Sequence, residues 1–186
     1  LMIVSGFLFL LINLNLKDFY QIINQEGYAS AIGVVILVSL GKLFSVSMGC
    51  LNNIISNSKY YSYVFWFSIS SAIMAVILNY IFIQSHGIIG AAFATVLVIL
   101  FINLCKILLI QFLFKIHPYY TKTLGVVLSM GLIYAVIDEI PTVVNPWLSI
   151  PLRSVLILGL FSIPLFTFRW SSDIESLIQD FRKRLF

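Results

Sequence analysis

One lysine lies in the middle of an apolar segment, with hydroxyl and amide side chains placed around it at helical spacing. The segment "VSLGKLFSVSMGCLNN" covers residues 38–53. At 100° per residue, the polar side chains collect in one sector of about 140°. These candidate binding residues are Ser39, Lys42, Ser45, Asn52 and Asn53. A charged side chain inside a membrane usually faces a polar cavity on the path of a substrate or an ion, so the stripe predicts a binding site lining such a cavity.

A structural role for the same segment stays open. Gly41, Ser45 and Gly49 are spaced by four residues, a pattern that also favours close packing of two helices. Lys42 would then pair with a carboxylate on a helix outside this sequence. The two interpretations differ in what surrounds the ammonium group: a water-filled cavity or packed protein.

The helices that must position these residues follow from composition. Hydrophobic residues make up 61% of the 186, charged residues 10%, and the mean hydropathy is +1.06, which excludes a water-soluble globule. The apolar runs are too long and too regular for barrel strands. We therefore predict an all-α integral membrane protein, with a six-helix bundle over residues 1–170. The predicted spans are about 1–16, 29–55, 63–83, 88–114, 124–140 and 147–168. Because the first run looks truncated, a further N-terminal part of the same protein is expected to precede it.

The loop charges predict the orientation. Lys59, Lys115 and Lys122 follow the second and fourth spans, and further basic residues follow the sixth, so the positive-inside rule places the C-terminus in the cytoplasm. Residues 171–186 have a capping-box spacing at Ser172 and Glu175 and one apolar face. They predict an amphipathic helix along the cytoplasmic membrane interface, or alternatively a loosely ordered tail.

Other kinds of chemistry find little support. His86 and His117 lie in predicted loops, and Cys50 and Cys105 in apolar segments, so we expect no metal site, disulfide or cofactor. The short basic run at 182–184 gives no basis for nucleic-acid binding. No His, Asp or Glu lies within the interior of a predicted span, so we do not expect an enzyme.

Two further passages carry a family resemblance. The passage "NYIFIQSHGIIGAAFAT" at 79–95 predicts a tight hairpin between two spans, and "NSKYY" stands upstream at 57–61. With the order of the spans, they resemble the C-terminal half of bacterial polysaccharide flippases, the O-antigen type translocases of the superfamily that includes the multidrug and toxin extruders (MATE). The resemblance covers nearly the whole chain and is strongest from 27 to 118. One departure is the absence of proline before Gly87, where Gln84, Ser85 and His86 stand.

The resemblance implies a fold and a function. The chain would form one lobe of a two-lobed, MATE-like carrier in the bacterial cytoplasmic membrane. Such carriers pass an oligosaccharide linked to undecaprenyl diphosphate from the inner to the outer leaflet by alternating access. On this interpretation Lys42 would meet the diphosphate, while Ser39, Ser45, Asn52 and Asn53 would hydrogen-bond phosphates or sugars. The expected partners are this lipid-linked sugar, membrane lipids and the N-terminal lobe.

Three alternatives stay open beside this function. A multidrug extruder of the same superfamily is the nearest, although a central lysine opposes the binding of cationic drugs. A membrane-embedded glycan enzyme would need a catalytic constellation that the spans do not supply. A membrane subunit without transport activity would use Lys42 only for assembly.

Overall fold

The computed structural model describes residues 1–23, 31–49, 51–115, 121–140 and 145–167, and no strand occurs among them. The helices are α1 (Met2–Ile23), α2 (Ile32–Ser47), α3 (Leu51–Ser56), α4 (Ser62–Phe114), α5 (Thr121–Asp138) and α6 (Pro146–Thr167). The predicted all-helical architecture is thus confirmed for these residues. The helix predicted at 171–186 lies outside them.

Within the described residues, three helices are long and apolar enough to cross a membrane: α1, α4 and the part Pro146–Pro164 of α6. Of these, α4 is the most apolar, with a mean hydropathy of 2.6. Large apolar side chains also cover the outside of the bundle. Phe112 is 77% exposed and Val76 is 72% exposed. Water-soluble proteins rarely expose so many large apolar side chains. The chain is therefore a membrane-embedded helical protein.

Helix α4 is folded back on itself at Gly87, whose φ of 57° and ψ of −135° are not helical. Glycine is the residue that adopts such a conformation without a steric penalty. The arms 62–86 and 88–114 run antiparallel, because Phe82 contacts Phe93 beside the turn, and at the far end Tyr60, just before the first arm, contacts Phe114. The predicted hairpin between spans 63–83 and 88–114 is confirmed.

A second glycine lets the two arms approach each other. A methyl group at Gly90 would overlap the backbone carbonyl of Phe82. We therefore expect Gly90→Ala to destabilise the protein by more than about 1 kcal/mol, because backbone cannot move aside as a flexible side chain does. The thermal unfolding midpoint in detergent measures this. Gly33→Ala is the control, since its methyl group meets nothing within 4 Å and alanine favours a helix. An equal midpoint for the two variants would contradict the expectation.

The predicted single helix over 29–55 is wrong, because α2 ends at Ser47 and α3 begins at Leu51. Gly49, with φ of 59°, lies in the break. The chain nevertheless keeps its direction, since Gly41 of α2 lies against Val96, and Ile55 of α3 clusters with Ile110. Helices α2 and α3 therefore follow the arm 88–114 one after the other.

The buried apolar side chains form two separate clusters. The first joins α1, α5 and α6 and contains Leu10, Leu14, Val126, Met130, Ile133, Ile137, Ile157 and Phe161. The second joins the end of α2, helix α3 and the arm 88–114 through Met48, Leu51, Ile55 and Ile110. Helix α1 packs on α2 as well as on α5 and α6, so the α1–α2 contact connects the two groups of helices.

Candidate functional site

A groove of about 540 Å³ runs between α1 and α2, and Lys42 lies in its wall. From α1 it is lined by Leu1, Val4, Ser5, Leu8, Phe9 and Ile12, and from α2 by Val34, Val35, Val38, Ser39, Lys42, Leu43 and Val46. Ser39 and Lys42 are three residues apart, so both fall on the face of α2 that meets the groove. The side chains of Leu8, Ile12 and Val46 are 47%, 48% and 44% exposed, so the groove opens to the outside of the bundle.

Lys42 lies far from one end of the bundle even though α2 is short. Its neighbour Gly41 is buried against Val96 and Ile99 of the arm 88–114. From Ile99 to the end of that arm at Phe114 is about 22 Å of helix at 1.5 Å per residue. The lysine is therefore far from the end of the bundle at which α4 finishes.

Lys42 is an exposed residue, and no described carboxylate forms an ion pair with it. Ion pairs in the described part of the chain join Lys17 to Asp138 and Arg153 to Asp18, and neither includes Lys42. The preceding residue, Gly41, packs against the arm 88–114, as predicted from the spacing of Gly41, Ser45 and Gly49. Within residues 1–23, 31–49, 51–115, 121–140 and 145–167, the structure thus supplies no partner for a purely structural ion pair.

Ser39 is already engaged by α1. The side-chain amide of Asn13 donates to Ser39 Oγ at 2.9 Å, and Ser39 Oγ lies 3.1 Å from Asn13 Oδ1 and 2.9 Å from the Ile36 carbonyl oxygen. The hydroxyl carries one proton, so it donates to one of these two acceptors at a time. Ser39 therefore links α2 to α1 through Asn13. Because these hydrogen bonds occupy its hydroxyl group, Ser39 is less available to bind a ligand than the sequence predicts.

This contact can be measured as a coupling between α1 and α2. Polar contacts between helices in membranes contribute about 0.6 kcal/mol on average and up to about 1.7. We expect Asn13→Ala and Ser39→Ala to show a coupling energy in this range in a double-mutant cycle of unfolding free energies. The pair Asn13→Ala and Ser71→Ala is the control, because Ser71 bonds within its own arm to the Ser68 carbonyl. Full additivity for Asn13 and Ser39 would contradict the contact.

Two of the other predicted site residues, Ser45 and Asn53, do not line the groove with Lys42. Ser45 is half-buried and is not part of the lining. Asn53 is exposed on α3, beyond the break at Gly49, so the helical wheel that placed it beside Lys42 does not apply. Asn52 also lies on α3, and its side chain is outside the described part. Among the predicted site residues whose side chains are described, the structure brings together Lys42 and Ser39.

The lining also differs from the polar cavity predicted by the sequence. Of the side chains in the groove, Ser5, Ser39 and Lys42 are polar and the rest are aliphatic or aromatic. The difference arises because α1 supplies half of the wall, and its side chains there are Leu8, Phe9 and Ile12. The groove has the chemistry of a site for an apolar chain that carries a negative charge at one place.

A second polar group, which the sequence analysis did not identify, lies buried between α1 and α6. Ser149 donates to Asp18 Oδ2 at 2.6 Å, and Arg153 Nε lies 3.9 Å from the same oxygen. Asp18 and Ser149 are 0% exposed and Arg153 is 4% exposed. Asn15, also buried, donates to Ser154 of α6 at 3.3 Å.

These residues escaped prediction because the first span was expected to end at residue 16. Helix α1 instead continues to Ile23, which turns Asp18 from a loop residue into a helix residue facing α6. A signal was present: no glycine or proline interrupts the chain between Gly6 and Gly27, so nothing stops the helix at Leu16. Arg153, which falls within the predicted span 147–168, lies in the second turn of α6.

The sequence and the fold were compared with known proteins. No protein-family model matches the chain, and neither the curated proteins nor the solved structures contain a match. The groove, its apolar walls and its unpaired lysine are therefore the observations from which a function can be argued.

Proposed function

We propose that the protein carries a sugar linked to undecaprenyl diphosphate across the bacterial cytoplasmic membrane. The observation that supports this most is Lys42 in the wall of an apolar groove, where the described residues supply no carboxylate to pair with it. An isoprenoid diphosphate has matching parts: a long hydrocarbon chain for the apolar walls and phosphates for the ammonium group. Lysine binds phosphate as a mobile point charge, so it tolerates different sugars beyond the diphosphate.

The route proposed for the lipid runs from the inner to the outer leaflet by alternating access. The described helices would form one lobe of a MATE-like carrier, with the C-terminus in the cytoplasm and residues 171–186 along the interface. The groove opens to the outside of the bundle, at the surface of Leu8, Ile12 and Val46. In a two-lobed carrier, a groove of this kind would face either the other lobe or the lipid from which the substrate enters.

A multidrug extruder is the second candidate, and the apolar lining of the groove favours it. Apolar walls also suit a lipophilic drug. The two candidate functions require different interactions with Lys42, because an ammonium group attracts a diphosphate and repels a cationic drug. The preferred charge of the ligand therefore decides between them.

The test compares ligands that share a chain or a charge. The intact protein in lipid nanodiscs is mixed with undecaprenyl diphosphate, undecaprenol, inorganic diphosphate or tetraphenylphosphonium, and binding is measured by native mass spectrometry. We expect the diphosphate lipid to bind at least about tenfold more tightly than undecaprenol, which a charge-assisted contact of about 1.5–3 kcal/mol would produce. Equal binding of the two lipids would refute the proposal. Preferential binding of the phosphonium cation would support the extruder.

A further inference from the structure

The polar group between α1 and α6 is balanced in charge. It holds one carboxylate, Asp18, and one guanidinium, Arg153. The guanidinium also donates to the backbone carbonyls of Leu14 at 3.0 Å and of Ile140 at 2.6 Å. Three other charged side chains at this end that the structure describes are exposed: Lys17 and Asp138 pair with each other at 3.1 Å, and Glu139 follows Asp138 in sequence. The buried group therefore has no net charge of its own.

Two buried oxygen atoms of this group accept no hydrogen bond from the described residues. They are Asn15 Oδ1 and Asp18 Oδ1. The other atoms of both side chains are engaged: Asn15 Nδ2 donates to Leu11 and Ser154, and Asp18 Oδ2 accepts from Ser149. Leaving a buried acceptor unpaired costs about 1–3 kcal/mol, more for a charged group.

The two oxygen atoms belong to residues three positions apart on one helix. Side chains at this spacing are neighbours on the helix surface, with Cβ atoms about 5–6 Å apart. Both also face α6, since Asn15 reaches Ser154 and Asp18 reaches Ser149. One small ligand with two donors can therefore serve both.

The charge balance decides what kind of ligand this is. A metal cation or an added proton would leave the group with a net positive charge beside the buried Arg153 guanidinium, and burying an unbalanced charge is costly. A water molecule carries two O–H donors and no charge, and buried waters typically bind two to four polar groups. We propose that Asn15 Oδ1 and Asp18 Oδ1 bind one buried water molecule, which completes the polar contact between α1 and α6.

The direct test is a structure of the intact protein at a resolution that shows ordered water, determined once in sodium chloride and once in choline chloride. We expect one density peak within hydrogen-bonding distance of both oxygens in both salts. A peak that disappears in choline would identify a metal cation and overturn the proposal. So would the absence of a peak, or a hydrogen bond to either oxygen from the chain itself.

Infrared spectroscopy provides an independent measurement on variants. The wild type is expected to show the O–H stretching band of a strongly bound water, which shifts in water enriched in ¹⁸O. Asn15→Leu should lose this band, because one of the two acceptors is removed. Asn13→Leu is the matched control and should keep it, since Asn13 bonds to Ser39 of α2. Retention of the band in Asn15→Leu, or its absence from the wild type, would overturn the proposal.

Discussion

Replacing Lys42 by alanine is expected to abolish delivery of the lipid-linked glycan to the cell surface, whereas arginine should preserve part of it. Alanine leaves the groove between α1 and α2 lined by apolar side chains, Ser5 and Ser39. The loss of a charge-assisted contact of about 1.5–3 kcal/mol weakens binding of a diphosphate by about ten- to a hundredfold. Arginine keeps the charge, although its planar group changes the geometry. Surface glycan in a bacterial strain that depends on this protein measures the effect.

The control for this experiment is Lys59→Ala. Lys59 is also exposed, but it lies in the turn before α4 with its ammonium group 5.1 Å from the centre of the Tyr60 ring. Its loss should leave glycan delivery close to normal. Normal delivery by a Lys42→Ala protein present at wild-type abundance would rule out the role proposed for Lys42.

The largest expected effect on stability is that of Asp18→Asn. This change leaves the Arg153 guanidinium, 4% exposed, without its counter-charge between α1 and α6. Removing one partner of a buried ion pair typically costs about 3–5 kcal/mol. We expect a loss of this size in the free energy of unfolding, measured by denaturant titration of the protein in detergent micelles.

Two further variants separate charge pairing from other effects at Asp18. Asp138→Asn removes an exposed ion pair with Lys17, in which the two side chains are 59% and 46% exposed, and should cost at most about 1 kcal/mol. The double variant Asp18→Leu with Arg153→Met should recover much of the stability, because apolar pairs often replace a buried ion pair without loss. If Asp18→Asn and Asp138→Asn cost the same, the buried pair does not stabilise the α1–α6 contact.

Glycine shows how much of the fold the sequence could predict. The turn at Gly87 was predictable because polar residues and a glycine separate two long apolar runs there. The break at Gly49 was not, because the same residue also fits a packing pattern with Gly41 and Ser45. Gly87 and Gly49 both have positive φ, whereas Gly41 lies within α2 and is packed against Val96 and Ile99 of the arm 88–114. Spacing along one helix does not distinguish a packed glycine from one that ends the helix.

The groove between α1 and α2 could also be predicted only in part from the sequence. A helical wheel predicted that Ser39 and Lys42 share a face, and the structure confirms this. It could not predict the facing wall, because Leu8 and Ile12 of α1 meet α2 only through tertiary packing. The pairing of Asp18 with Ser149 was equally hidden, since 131 residues separate them in the chain.

That separation has a consequence for biosynthesis. A chain emerges from the ribosome N-terminal end first, so α1 reaches the membrane long before α6. The contact between Asn13 and Ser39 spans 26 residues and can form early. The contacts of Asp18 with Ser149 and Arg153 can form only after α6 has been synthesised. A charged residue at mid-membrane depth costs about 2.5–3.5 kcal/mol on insertion scales, and less toward the interface. During translation, the Asp18 carboxylate of α1 therefore has no counter-charge until α6 brings Arg153 to it.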